Sequence, residues 1–287
     1  MWKYVNPGYG ELLDEKLGTI KNKAYNPTNG MCLANGSSRG GINLPNLKEV
    51  YVKFDVYFYS GDRSYGQFYI GDGTNWTGLY KTNYSSYSLK IDGNKMSEFD
   101  FILSSDKLHK IVYHVKPGQK GELEVFIDNQ FVKSYSGKIS TSVFRKCEVG
   151  FDNNFISNII IADYDIRDES VLVVPLGEPT GTWSGISDGE AKATEADQVL
   201  TQSLKIDDIK NVVGTDTVTS VSVAAYDIRY DSEKVNSMEA SITKDGSNLT
   251  SATKSITNNA ITPITFMKNM TIDNLANTSV SFKAKKV

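Results

Sequence analysis

The sequence predicts an all-β chain, a two-sheet sandwich followed by a smaller β domain. Three observations carry this. Helical periodicity is almost absent along the 287 residues. Short runs of Tyr, Phe, Val and Ile instead alternate with polar residues at a period of two. Between them stand Gly-Asp-Gly, Asp-Gly-Asn, Pro-Gly-Gln and Asp-Asn, residues that supply the positive or preset φ of tight turns. Many short strands at close spacing bury their apolar faces best as two stacked antiparallel sheets.

The elements follow in order. "EVYVKFDVYFYS" (49–60) places Tyr51, Lys53, Asp55, Tyr57 and Tyr59 on one face and Val50, Val52, Phe54, Val56 and Phe58 on the other. Further strands are read at 66–73, 87–91, 100–104, 109–115, 123–128, 130–136, 146–151 and 156–166. "LHKIVYHVKPGQKGELEVFIDNQFV" (108–132) reads as two strands joined at Pro-Gly and closed by an Asp128-Asn129 corner. "GDGTNWTGLYKTNYSSYS" (71–88) reads as a polar, aromatic loop region. A boundary falls after "YDIRDES", where Pro, Gly, Thr and Ser concentrate, giving domains 1–168 and 169–287. The second domain carries strands at 217–230, 237–246 and 278–287, a hairpin in "TKDGSNLTSATKS", and one helical turn in "MTIDNLAN" capped by Thr271. "YDIR" occurs at 164–167 and 226–229 without similarity on either side, so it marks no repeat.

Composition narrows the function classes. Hydrophobic residues make up 39% and charged residues 23%, the balance of a globular chain. A net charge of −3 gives no general pull towards nucleic acid or an anionic membrane. "FKAKKV" reads as a final strand with exposed lysines. "IIIA" and "VLVVPL" are too short to span a bilayer, so no membrane insertion is expected. "MWKYVNPGYG" lacks the pattern of a signal peptide, which points to a protein made in a cytoplasm. Cys32 and Cys147 read as two reduced, small hydrophobes, with a bridge open only if their strands lie side by side.

Chemistry is sparse. His109 and His114 stand five apart on one strand and so face opposite ways. Glu122, Glu124 and Asp128 are the one carboxylate run in a strand, but Asp128 is followed at once by a turn. No G-x-S-x-G, phosphate loop or dinucleotide fingerprint occurs, so the expectation is that the chain is not an enzyme. Calcium is the one candidate cofactor, on Asp72, Asn75, Asp152 and Asn153; the simpler reading of these is turn residues bonding their own backbone. Trp76, Tyr80, Tyr84 and Tyr87 form a candidate platform for stacking on sugar rings.

Two resemblances add to this. "LHKIVYHV", "GELEVFIDNQFVKSYSG" and "FISNIIIADYDI" resemble the closing strands of concanavalin A-like and laminin-G-like jelly rolls, with Leu108 where that family has Trp and Asn129 where it has Gly. This implies a jelly roll over 1–168; the family includes lectins, hydrolases and inert modules. "VLVVPLGEPTGTWSGIS", "VTSVSVAAYDIRYDSE", "SMEASITKDGSNL" and "MTIDNLANTSVSFKAKKV" together resemble bacteriophage virion proteins, although Phe282-Lys283-Ala284 departs from their Phe-Gly pairing. The resemblance implies a structural head, neck or tail component, assembled in the host cytoplasm with other virion proteins. It would form a homo-oligomer whose jelly roll touches host-surface glycans. The alternative is a bacterial carbohydrate-binding module or adhesin, secreted or on the cell surface.

Overall fold

The computed structural model describes residues 1–8, 13, 18–21, 31–34, 40–57, 66–83, 86–104, 106–151, 155–185, 192–206, 217–225, 233–255 and 262–286. The chain divides into two compact units, Met1–Leu172 and Val173–Val287.

The first unit contains β1 (Lys3–Asn6), β2 (Gly18–Lys21), β3 (Met31–Ala34), β4 (Gly40–Leu47), β5 (Val50–Tyr57), β6 (Gly66–Gly71) and β7 (Trp76–Asn83). It continues with β8 (Ser86–Ile91), β9 (Asn94–Ile102), β10 (Leu108–Lys116), β11 (Gly118–Ile127), β12 (Gln130–Ile139), β13 (Phe144–Phe151) and β14 (Phe155–Ala162). One sheet runs β12-β11-β10-β5-β14-β3-β2, with β1 beside β14; the second runs β4-β13-β6-β7-β8-β9. All pairings are antiparallel, and the crossings between sheets make a jelly-roll sandwich.

Strand alternation makes the core. From β5, Val50, Val52, Phe54 and Val56 meet Phe68 and Ile70 of β6, Leu79 of β7 and Cys147 and Val149 of β13. Phe54 stacks on Phe68 across the two sheets with ring centres 4.2 Å apart, and Tyr113 of β10 meets Phe68 edge-on while its hydroxyl donates to the Phe68 carbonyl. Each fully buried ring of this kind stabilises by about 1.5–3 kcal/mol relative to exposure. His109 points to the core side of β10 with Ile111 and Tyr113, and His114 to the other, as five-residue spacing on a strand requires.

Beyond β14 the chain crosses the outer face of the first sheet. Ile166 and Val171 pack on Ile160 and Ala162, together with Val5, Tyr51 and Tyr164. Buried Lys53 donates to the carbonyls of Arg167 and Glu169, and the Glu169 carboxylate pairs with buried Lys3. Burial holds the Lys53 ammonium below the usual lysine range. The 169–172 stretch, assigned to the second domain from sequence, therefore packs with the first unit.

The second unit holds β15 (Thr180–Gly181), β16 (Val199–Ser203), β17 (Thr217–Ala225), β18 (Ser237–Lys244), β19 (Ser247–Ser255), β20 (Thr262–Thr271), α1 (Ile272–Leu275) and β21 (Thr278–Lys285). A sheet ordered β15-β16-β21-β18-β19 and a β17-β20 pair make up its strands among the described residues. Met238, Ala240 and Ile242 of β18 pack with Val280, Phe282 and Ala284 of β21. The β18–β19 hairpin turns at Asp245 and Gly246, both with positive φ. Thr271 caps α1, its hydroxyl accepting from the Asn274 N–H at 3.3 Å, where the sequence places that turn.

Candidate functional site

The outer face of the second sheet gathers the polar and aromatic residues that the core cannot use. Within the 71–88 region, read as a loop, residues 76–83 are instead β7 and residues 86–88 begin β8. In β7, Thr77, Leu79 and Lys81 turn inward and are buried, so Trp76, Gly78 and Tyr80 share the outer face. Register then places Tyr69 of β6 opposite Gly78, and Gly71 opposite Trp76. Lys90 of β8 flanks Gly78 on the other side. On β13, Glu148 stands beside Tyr69 and Lys146 beside Gly71.

Two glycines form the floor of this face. A Cβ at Gly78, whose φ is +150°, would lie 2.3 Å from the Phe68 carbonyl oxygen; one at Gly71 would lie 2.1 Å from that of Asn75 and 2.9 Å from the Trp76 ring. No larger residue fits either position. Because Gly78 has no side chain, Lys90 can lean across β7. Its ammonium lies 5.1 Å from the centre of the Tyr69 ring and 5.0 Å from that of Tyr80. Two aromatic faces stabilise such a cation, by about 0.5–2 kcal/mol per contact. Tyr69 is buried beneath this layer, while Trp76, Tyr80, Lys90, Lys146 and Glu148 are half-exposed.

The β8–β9 corner supports the Trp76 end. Asp92 and Gly93 both take positive φ, the Gly93 N–H donates to the Trp76 carbonyl at 2.8 Å, and the Asp92 carboxylate accepts from the Ser140 N–H at 2.8 Å.

The residues singled out from sequence separate. Trp76 and Tyr80 come together on the face. Tyr87 is corrected: it is 1% exposed and stacks on Phe101 within the core, so it offers nothing to a ligand. Tyr84, Asp152 and Asn153 lie outside the described residues. Asp72 and Asn75 sit in the β6–β7 turn, where the Asp72 carboxylate accepts from the N–H groups of Thr74 (2.8 Å) and Asn75 (2.7 Å) and from the Asn75 side-chain amide. Burial raises the Asp72 carboxyl, but these bonds outweigh it and hold it below the usual range. Its lone pairs are thus directed into its own turn. Among the described residues, no group of three or more His, Cys, Asp or Glu is placed to hold a metal ion. Tyr69, Lys90, Lys146 and Glu148 also stand on this face and were missed; period-two alternation inside "FYIGDG", "YSLKI" and "KCEVGF" was the available signal.

The opposite outer face carries a second polar group. His114 stacks on Tyr51 with ring centres 4.2 Å apart, and its nitrogens lie 2.7 Å from a Glu49 oxygen and 3.3 Å from a Glu124 oxygen. Arg167 pairs with Asp165 and lies 5.0 Å over the Phe126 ring. Glu49, Glu124, Asp165 and Arg167 are all partly exposed at their side chains.

No family model and no curated protein matches the chain. Solved structures do resemble it in architecture. An endo-β-1,4-glucuronan lyase from the fungus Trichoderma reesei aligns with a TM-score of 0.43 and 10% identity over 58% of this chain and 97% of its own. The alginate lyase Aly36B aligns at 0.36 and 10% over 46% and 79%, and sheep galectin-11 at 0.34 and 12% over 45% and 99%. Nothing in these comparisons links the chain to virion proteins. The expectation that the chain is not an enzyme, which rested on missing catalytic motifs, is corrected: two of these neighbours are named as lyases. At these scores and identities the likeness is one of β-sandwich architecture alone.

Proposed function

We propose that the first unit binds an acidic carbohydrate on the outer face of its second sheet. The observation that carries this is the Lys90 ammonium held over Tyr69 and Tyr80, next to Trp76, on a strip floored by Gly71 and Gly78. Trp76 and Tyr80 supply flat apolar surfaces for sugar rings. Lys90 and Lys146 supply cations for a sugar carboxylate or sulfate, and Glu148 an acceptor for hydroxyls. Of the two readings raised by the sequence, a carbohydrate-binding module fits this face. A virion component draws no support from it.

The test is a glycan array carrying acidic and neutral polysaccharides, followed by titration calorimetry on the hits. Trp76→Ala and Lys90→Ala are each expected to weaken binding about tenfold or more, the effect of losing one ring or cation contact. Lys90→Ala should also narrow the preference for acidic over neutral glycans. Absence of any bound glycan, or wild-type affinity in both variants, would overturn the proposal.

One observation favours a second reading at the same residues. A lysine beside two tyrosines is a set of groups able to take a proton from a carbon next to a carboxylate and return one to a leaving oxygen. That is the chemistry of uronate β-elimination. Incubation with polyuronates, followed by the ultraviolet absorbance of an unsaturated product, separates a lyase from a binder.

A further inference from the structure

Consecutive residues at the start of β7 are held from two directions. The Trp76 carbonyl accepts from the Gly93 N–H at 2.8 Å, and the Thr77 hydroxyl accepts from the Asp92 N–H at 3.3 Å. Both donors lie in the β8–β9 corner. The Asn75 carbonyl lies 3.5 Å from the Thr141 hydroxyl, in the connection that carries the chain from β12 of the first sheet to β13 of the second. Asp92 joins the two supports, because its Oδ2 accepts from the Ser140 N–H at 2.8 Å. From this bracket we infer that Asp92 is the positioning residue of the carbohydrate face, fixing the Trp76 ring as a platform before any sugar arrives. The inference rests on the carbohydrate reading of that face and names what prepares it.

The start of β7 needs such a bracket. The Trp76 ring lies against Gly71, with Cε3 2.9 Å from where a Cβ at Gly71 would stand, so its height follows the fit of two strand ends. Those ends close the β6–β7 hairpin, whose turn includes the exposed Gly73 and Thr74. Hairpin ends with exposed turns open at little cost in free energy. Here the end cannot swing without breaking its bonds to the β8–β9 corner. That corner cannot follow without losing Ser140, which stands next to Thr141, a residue only 1% exposed. A ring already held in place loses less freedom when a sugar stacks on it, and this is how a carboxylate outside the face adds to affinity.

The bracket uses the acceptor of Asp92 and not its charge. Oδ1 is buried and has no hydrogen-bond partner among the described residues, so the link between the two supports rests on Oδ2 alone. The Asp92 backbone takes a φ of 49°, a conformation that Asn and Gly also adopt readily. The acceptor can therefore be kept or removed without straining the corner.

The experiment uses the full chain labelled with fluorotryptophan. Its three tryptophans give three fluorine resonances, and Trp76→Phe identifies that of Trp76. Asp92→Gly removes the acceptor and should broaden or shift the Trp76 resonance. Those of Trp2 and Trp183 should stay in place, which also shows that the variant is folded. Titration calorimetry with polyglucuronate should find Asp92→Gly about three- to tenfold weaker than wild type, the cost of ordering one released side chain. Asp92→Asn, whose amide oxygen can still accept from Ser140, should restore both the resonance and the affinity. A merely structural carboxylate would lower the urea midpoint and leave the Trp76 resonance of the folded protein unmoved. An unmoved Trp76 resonance in Asp92→Gly, or an Asp92→Asn variant as impaired as Asp92→Gly, would overturn the inference. Failure of the wild type to bind polyglucuronate would count against the carbohydrate reading, and the resonances judge the role of Asp92 either way.

Discussion

Lys90 shows how a single absence shapes this molecule. Its ammonium reaches Tyr69, two strands away, only because Gly78 leaves the strand between them bare. This was not legible in the sequence, since Lys90, Gly78 and Tyr69 meet through register across three strands and not through spacing along one. Trp76 and Tyr80 were legible as aromatics in polar surroundings. Tyr87 was misread because an aromatic in a strand serves the core or the surface according to parity alone, and the parity of β8 sends it inward. The cysteines illustrate the reverse case, where local context sufficed. Cys32 and Cys147 are free and buried. Burial pushes the Cys32 thiol up to about 12 and Cys147 well above its ordinary value. The folded protein should therefore react with almost no thiol reagent over minutes at neutral pH, and show two thiols once denatured. A rapidly titrating thiol in the native protein would contradict this.

At the scale of elements, the strands most readily found are those with one face wholly apolar, such as β5, β10 and β11. The strand β7 was hidden because its inward row, Thr77, Leu79 and Lys81, is mostly polar, and its outward row includes Gly78. β4 was likewise concealed by Pro45 and by its exposed residues Asn43 and Asn46. The β11–β12 corner, in contrast, could be placed by its two turn residues. Asp128 and Asn129 take φ of 51° and 66°, a pair of left-handed residues such as a two-residue hairpin loop demands. Glycine meets that demand with less strain, so Asn129→Gly should stabilise the first unit by about 0.5 kcal/mol. Asn129→Val, β-branched and ill suited to positive φ, should cost about 1–2 kcal/mol. Urea unfolding of both variants measures the difference, and the opposite order would refute this account of the corner.

For the whole molecule, the sandwich and the presence of a second β region were legible from alternation and composition; where the first unit closes was not. Composition changes at "YDIRDES", but the first core extends past it, because Glu169 and Val171 are held by Lys3 and by the apolar cover over the first sheet. A fragment of residues 1–172 should fold cooperatively alone. One of residues 1–168 should be less stable by about 3 kcal/mol or more, having lost a partner of a buried ion pair and a buried valine. Equal denaturation midpoints for the two fragments would overturn this. The same closing segment has a geometric consequence. β1 lies against β14, the Trp2 N–H donates to the Asp163 carboxylate at 2.7 Å, and the Asp163 N–H donates to the Trp2 carbonyl at 3.3 Å. Entry to and exit from the sandwich thus lie side by side, as in a plug with both leads on one side. Such a unit can be spliced into a surface loop of another protein, or have its ends joined and reopened elsewhere, without pulling its sheets apart.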